Sequence, residues 1–166
     1  MSARLHLAII DRAYVGPILD GRKRVESRLG RDRRAPFGVV SPGDRVCFKQ
    51  RSGPCVALAT VVGVECLELA PPAGVRELRD RVQAGVLGSS EYWRGKLGSR
   101  YATLIWFAAV EPIDSTPDLS RYIRAGNRSA WHVLPAAAET LVRDADRLAD
   151  RSADRAGGWA GARRSA

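Results

Sequence analysis

Residues suited to metal or redox chemistry are scarce in this chain of 166 residues. The three cysteines, Cys47, Cys55 and Cys66, are odd in number, lack C-x-x-C spacing and sit in apolar contexts. That argues against a disulfide framework and predicts buried, reduced thiols. Histidine is scarcer still. His6 and His132 are the only two, and neither falls near a cysteine at ligand spacing, so no metal site is expected. A glycine-rich phosphate loop is missing as well, which leaves no sequence signal for a cofactor. Long hydrophobic runs are also lacking: the longest candidate, Tyr101 to Val110, falls well short of the ~18 residues a membrane-spanning helix requires. The N-terminal apolar stretch runs straight into the charged pair Asp11-Arg12 without a small-residue cleavage site. The expectation is a cytoplasmic protein with no membrane partner.

What the chain has is positive charge, unevenly distributed. Its net charge is +9, yet the segment from Ala136 onward has six arginines against five acidic residues. Residues 21 to 51 hold ten basic residues against Glu26, Asp32 and Asp44, a net of +7. A block of like charge repels itself unless an anion lies among its members, so a polyanionic partner is indicated. The bland alternative is a solvated arginine-rich loop in a chain rich in arginine throughout.

Local pattern places this block on a fold. RLHLAII (residues 4 to 10) reads as an opening strand, followed by a short helix from Ala13 to Asp20 that Gly21 terminates. Arg24 to Leu29 alternates as a strand, with Glu26 and Arg28 on one face. Residues 30 to 44 form a long exposed loop ending in the turn Pro42-Gly43-Asp44. Strands are expected at Arg45 to Lys49, with Val46 and Phe48 inward, and at Cys55 to Leu67, joined by a hairpin. Helical spacing follows at Ala73 to Ala84 and at Glu91 to Lys96. The apolar run Tyr101 to Val110 is a strand for the middle of a sheet. A loop around Pro112 to Pro117 and a last strand at Ser129 to Leu134 complete the domain. The C-terminal segment reads as a helix with Leu134, Leu141 and Leu148 at sevenfold spacing and an Arg147-Asp150 pair, fraying into a tail where Trp159 is incidental. The elements indicate an α+β fold, a small curved β-barrel of five or six strands with peripheral short helices and a C-terminal helix. The division is a domain at 1–135, a helix at 136–152 and a disordered tail at 153–166.

Lys23, in the turn before the second strand, is long enough to reach Glu26 and Arg28. Such a group, fed by Arg31, Arg33 and Arg34, is able to grip phosphate through guanidinium forks and to accept from a base amino group through Glu26. It is equally a candidate catalytic pair, with Glu26 as general base and Lys23 as acid or nucleophile. Spacing does not choose between these readings or a plain surface ion pair.

The pattern Gly21-x-Lys23-x-x-Glu26-x-Arg28, the Pro42-Gly43-Asp44 turn, a strand ending in Lys49, the segment Ser99 to Phe107 (SRYATLIWF) and the SAWHVL strand together resemble the ASCH domain, a relative of the PUA-like fold. The resemblance covers roughly residues 4 to 135. It implies a small β-barrel with a cleft lined by the lysine, the acid and the arginine of the motif, and an association with RNA. One branch of similar fold hydrolyses acylated cytidine, and other members have been regarded as ribonucleases. That hydrolase branch places a threonine nucleophile where this chain has Glu26. Lys23 matches it, and Glu91 and Asp80 are the nearest candidates for its further acid.

The leading expectation is therefore a module binding RNA, other single-stranded nucleic acid or a modified nucleoside. Arg28, Arg31, Arg33, Arg34 and Lys49 would serve the phosphates, Lys23 and Glu26 a base or ribose, and Tyr92, Trp93 or Tyr101 would stack, with Arg100 a further nucleic-acid-binding residue. Trp106 and Trp131, in apolar strands, read as core. A hydrolase using the same cleft is the alternative, and a domain that docks an acidic protein a third. The sequence gives no oligomeric state.

Overall fold

A computed structural model describes residues 3–157. Six strands, β1 (Leu5–Ile10), β2 (Val25–Gly30), β3 (Arg45–Gln50), β4 (Cys55–Glu68), β5 (Tyr101–Ser115) and β6 (Trp131–Leu134), form one sheet in the order β2-β5-β4-β3-β1-β6. β1 and β3 run parallel, and every other neighbouring pair is antiparallel. Four helices accompany it, α1 (Val15–Leu19), α2 (Ala73–Val86), α3 (Ser90–Lys96) and α4 (Ala137–Gly157). The sheet curls into a half-barrel, the α+β architecture expected. Register shifts between β4 and β5, at Leu58/Thr60 and Val61/Gly63, account for much of that curl, because each extra residue bends its strand and sharpens its twist.

Period-two alternation sorts the side chains between two faces. Ala8, Ile10, Val46, Phe48, Ile105, Phe107 and Trp131 fill the inner side of the curl. Leu5, Leu7, Cys47 and Leu134 point the other way, against Ala138 and Val142 of α4. Val25, Leu29, Ala102 and Leu104 pack outward on Val75, Leu78, Val82 and Val86, the apolar stripe of α2, and on Trp93 of α3. Glu26 and Arg28 are out of phase with Val25 and Leu29, so they face inward.

Several expectations change. β5 runs on through the expected loop to Ser115; Pro112 lies opposite Ala57 beside a register shift, a place in the ladder that tolerates a missing N–H. The leucine heptad does not form a seam: Leu134 belongs to β6, Leu148 is 63% exposed, and Ala138 and Val142 make the contact. α4 extends to Gly157, into the segment read as tail, while Trp159 and the rest of that tail lie outside the described residues. Arg147 approaches Asp144 at 3.9 Å; the side chain of Asp150 also lies outside them. Cys47 and Cys55 are buried as predicted, but Cys66 is exposed and accepts from the Gly38 N–H. The 30–44 loop is anchored, with Pro36, Val40 and Asp44 buried. Asp44 accepts from the backbone N–H groups of Arg4 and Ser41 and lies 2.9 Å from His6 Nε2.

Candidate functional site

β2 and β6 are the two edges of the sheet, and the curl brings them near one another without backbone pairing. Arg28 spans the seam. Its Nη1 donates to the carbonyl of Ala130, just before β6, at 3.2 Å, and its Nη2 to that of Ile9 in β1 at 3.1 Å. The guanidinium lies 5.3 Å over the Trp131 ring, and Nε is 2.8 Å from Glu26 Oε1, an ion contact without hydrogen-bond alignment. One side chain therefore closes the barrel where strand pairing does not.

Lys23 reaches Glu26 from behind. Gly21, at φ +79°, ends α1 with its N–H on the Ile18 carbonyl, and the Lys23 N–H then bonds the Pro17 carbonyl at 2.8 Å. From that turn Nζ donates to the carbonyls of Val25 and Val86, both at 2.8 Å, and faces Glu26 Oε2 at 3.4 Å. Gly85 makes the Val86 contact reachable: a Cβ there would stand 2.7 Å from Val25 Cγ2, so only glycine lets the end of α2 approach β2 this closely. Lys23 is 2% and Glu26 6% exposed. Burial pushes the Lys23 ammonium below the ordinary lysine range, with Glu26 opposing. With all three ammonium protons engaged, Lys23 positions Glu26 rather than facing a ligand.

A cavity of about 480 Å³ opens along the seam, floored by Glu26 and Arg28. Arg31, Arg34, Arg51 and Lys96 also line it, as do Asp11 and Asp32. Each acid is already engaged: Asp11 with Arg51 at 3.2 Å, Asp32 with Arg34 at 2.9 Å, and Glu26 with Lys23 and Arg28. Arg31 and Lys96 are left without an acidic partner among the described residues. Lys96 Nζ donates to the Leu29 carbonyl at 3.2 Å and lies 5.7 Å over the Tyr92 ring. Partial burial and the nearby Arg28 lower its pKa.

Aromatic surface meets these charges. Phe37 and Tyr101 line the cavity as an edge-to-face pair with centroids 5.6 Å apart, and the Arg33 guanidinium sits 5.7 and 5.1 Å over their rings while pairing with Glu68. Tyr92 also lines the cavity, its hydroxyl 2.8 Å from that of Ser27 and donating to the Ser27 carbonyl. Burial raises the Tyr92 pKa, so the phenol stays protonated.

Of the residues singled out in the sequence, Glu26, Arg28, Arg31, Arg34, Tyr92 and Tyr101 meet at this cavity, with Lys23 behind and Arg33 above. Three do not. Lys49 is tied into the β3–β4 hairpin, donating to Gly53 O at 2.5 Å. Trp93 is a core residue, 5% exposed, whose indole N–H bonds Gln83 Oε1. Arg100 is exposed beside Tyr101 and does not line the cavity. Asp80 pairs with Arg79 on α2, and neither it nor Glu91 lines the cavity. Thr103, opposite Arg28 in register, does place a hydroxyl there, on β5 rather than at position 26. Sequence reading missed Phe37, Lys96, Trp131 and the Asp11–Arg51 pair. Lys96 was findable, four residues after Tyr92 on one helix face. Trp131 was read only as core; it is that, and also the surface under Arg28. Among the described residues no group of three or more His, Cys, Asp or Glu is placed to hold a metal ion, and no helix is long and apolar enough to cross a membrane.

No family model and no curated protein matches the chain. Solved structures do. The crystal structure of ASCH from Zymomonas mobilis superposes with a TM-score of 0.64 at 18% identity, over 84% of this chain and 94% of that one. The chain has the ASCH fold. Two variants of the Zymomonas mobilis protein, a tyrosine-to-phenylalanine and a serine-to-alanine mutant, give TM-scores of 0.60 and 0.61 at 19% identity. Each covers 80% of this chain, and this chain covers 91% and 89% of theirs. Within the ASCH fold, the Gly21-to-Arg28 motif supplies the turn, the buried lysine and both floor residues of the seam cavity.

Proposed function

We propose that the seam cavity binds single-stranded RNA or a nucleotide. The observation that carries this reading is the placement of two cations without acidic partners among the described residues, Arg31 and Lys96, in the same cavity as the Phe37–Tyr101 ring pair and the Glu26 carboxylate. Cations take phosphate, rings take a base face, and a fixed carboxylate accepts from an exocyclic amino group. A cavity of about 480 Å³ is of small-ligand size, so it encloses a base and its sugar-phosphate rather than a duplex. Arg28, tied by two N–H groups to the seam, retains others to offer. Anisotropy titrations of a labelled oligoribonucleotide against salt test the reading. Arg31→Ala with Lys96→Ala should lower the slope of log K on log salt by about 1.4, two phosphates at ~0.7 each. Tyr101→Ala should weaken binding by ~1 to 3 kcal/mol. Absence of binding at low salt, or indifference to all three substitutions, overturns it.

One observation favours a second, hydrolytic reading: Glu26 faces the cavity with its carboxylate fixed on two sides by Lys23 and Arg28, as a general base must be fixed. Glu26→Gln should then abolish turnover of short RNA or acylated cytidine. Unchanged turnover excludes the role.

A further inference from the structure

A second cavity, of about 430 Å³, lies between α2 and α3. Its floor is apolar, made by Val75, Trp93 and Leu97, and the charged side chains around it are Arg76, Arg79 and Arg94. Among the described residues no acid lines it. Arg79 is paired with Asp80 at 2.7 Å, whereas Arg76 and Arg94 have no acidic partner among the described residues. Guanidinium groups gathered without a counterion repel one another, and an anion between them relieves that repulsion. The charge block at residues 21 to 51 does not include these arginines, and the seam does not use them.

α3 is the wall between the two cavities. Tyr92 and Lys96 line the seam, while Ser90, Trp93, Arg94 and Leu97 line the second cavity. The partition is one helix thick, ~10 Å, about three nucleotides of stacked single strand at ~3.4 Å each. We propose that a strand bound in the seam continues over α3 and lays its phosphates on Arg76 and Arg94, an inference that rests on the nucleic-acid reading of the seam. Arginine forks match phosphate oxygens two at a time, and the apolar floor between them suits a sugar or base edge. An acidic peptide would satisfy the charge, but it has no reason to prefer a groove that adjoins the seam.

Arg76 and Arg94 are exposed, so Arg76→Ala with Arg94→Ala leaves the core untouched, checked by an unchanged thermal midpoint. Against an oligoribonucleotide of about eight residues, the double variant should lose about tenfold in affinity near ~0.1 M salt, and about 1.4 from the salt slope. A mononucleotide, which fills the seam alone, should bind both proteins equally. Unchanged octamer affinity and slope overturn the groove. Equal losses for octamer and mononucleotide overturn it too, because the arginines would then act on the seam. A matching loss for polyglutamate of similar length overturns the assignment to nucleic acid. If the unsubstituted protein fails to bind the octamer at low salt, the seam reading itself falls and takes this inference with it. Octamer binding that ignores the double substitution removes the groove alone.

Discussion

Replacing Lys23 with methionine keeps the length and most of the volume of a side chain that is 2% exposed, and removes only its charge and donors. Two carbonyls, of Val25 and Val86, then lose a bond of 2.8 Å each, at ~1 kcal/mol net apiece. Glu26, 6% exposed, keeps only Arg28 as an ion partner. Removing one member of a buried pair costs about 3 to 5 kcal/mol in all, a total that already contains such lost hydrogen bonds, and the surviving Arg28 contact at 2.8 Å keeps this case at the low end. The expected loss is therefore ~3 to 4 kcal/mol, a large share of the ~5 to 15 kcal/mol of an ordinary domain. In urea, with a slope near ~2 kcal/mol/M, the midpoint should fall by about 1.5 to 2 M. Adding Glu26→Gln removes the stranded charge, so the double variant should be more stable than Lys23→Met by ~1 kcal/mol. A single variant that loses less than ~1 kcal/mol, or a double variant less stable than the single, would refute the claim that Lys23 exists to hold Glu26.

Gly85→Ala should destabilise by ~1 to 3 kcal/mol in the same denaturation assay, because its new methyl meets Val25 Cγ2 at 2.7 Å and pushes α2 off β2; wild-type stability would show that α2 moves freely there. His6 predicts an acid response. Its Nε2–H donates to Asp44 and its Nδ1 accepts from the Trp131 indole N–H at 3.3 Å, an arrangement only the neutral ring can make. Burial lowers its pKa from 6.5 despite Asp44, so below 6.5 the unfolded chain binds the proton more readily; stability should be full above that pH and fall as pH drops toward the lowered value. Urea midpoints between about pH 7 and 5 should show that slope in wild type and lose it in His6→Gln, and a flat wild-type profile would contradict the assignment.

Patterns of short range were legible and patterns of pairing were not. Alternation put Glu26 and Arg28 on one face because a strand has period two, and Gly21 marked the end of α1 because the turn requires φ > 0. The seam was hidden, since it depends on β2 pairing with β5 and β6 with β1, contacts about 75 and 125 residues apart in sequence. Trp93 misled because its neighbours are polar, whereas burial on α3 follows the helical face it shares with Leu97. Lys49 misled because a charge at a strand end looks free until the hairpin that turns back on it supplies carbonyls. Cys66 looked buried in an apolar run, yet it sits in the outer half of β4, where the burial alternates with exposure.

The seam also determines which residues can report on binding. Lys23, Glu26 and Arg28 join α2 to β2 and β2 to the far edge of the sheet, so substituting any of them loosens the barrel and distorts whatever it binds. A loss of ligand affinity in those variants therefore carries little information about contact. Among the described residues Arg31 has no acidic partner, and Lys96 bonds the Leu29 carbonyl and lies over the Tyr92 ring without joining β2 to the far edge, so their removal changes charge at the cavity with little effect on the closure. Conversely, a ligand that occupies the cavity of the folded protein and not the unfolded chain must raise the unfolding midpoint by mass action. The part of that rise that disappears with Lys96→Ala but survives in Arg100→Ala, which leaves the cavity lining intact, belongs to the seam.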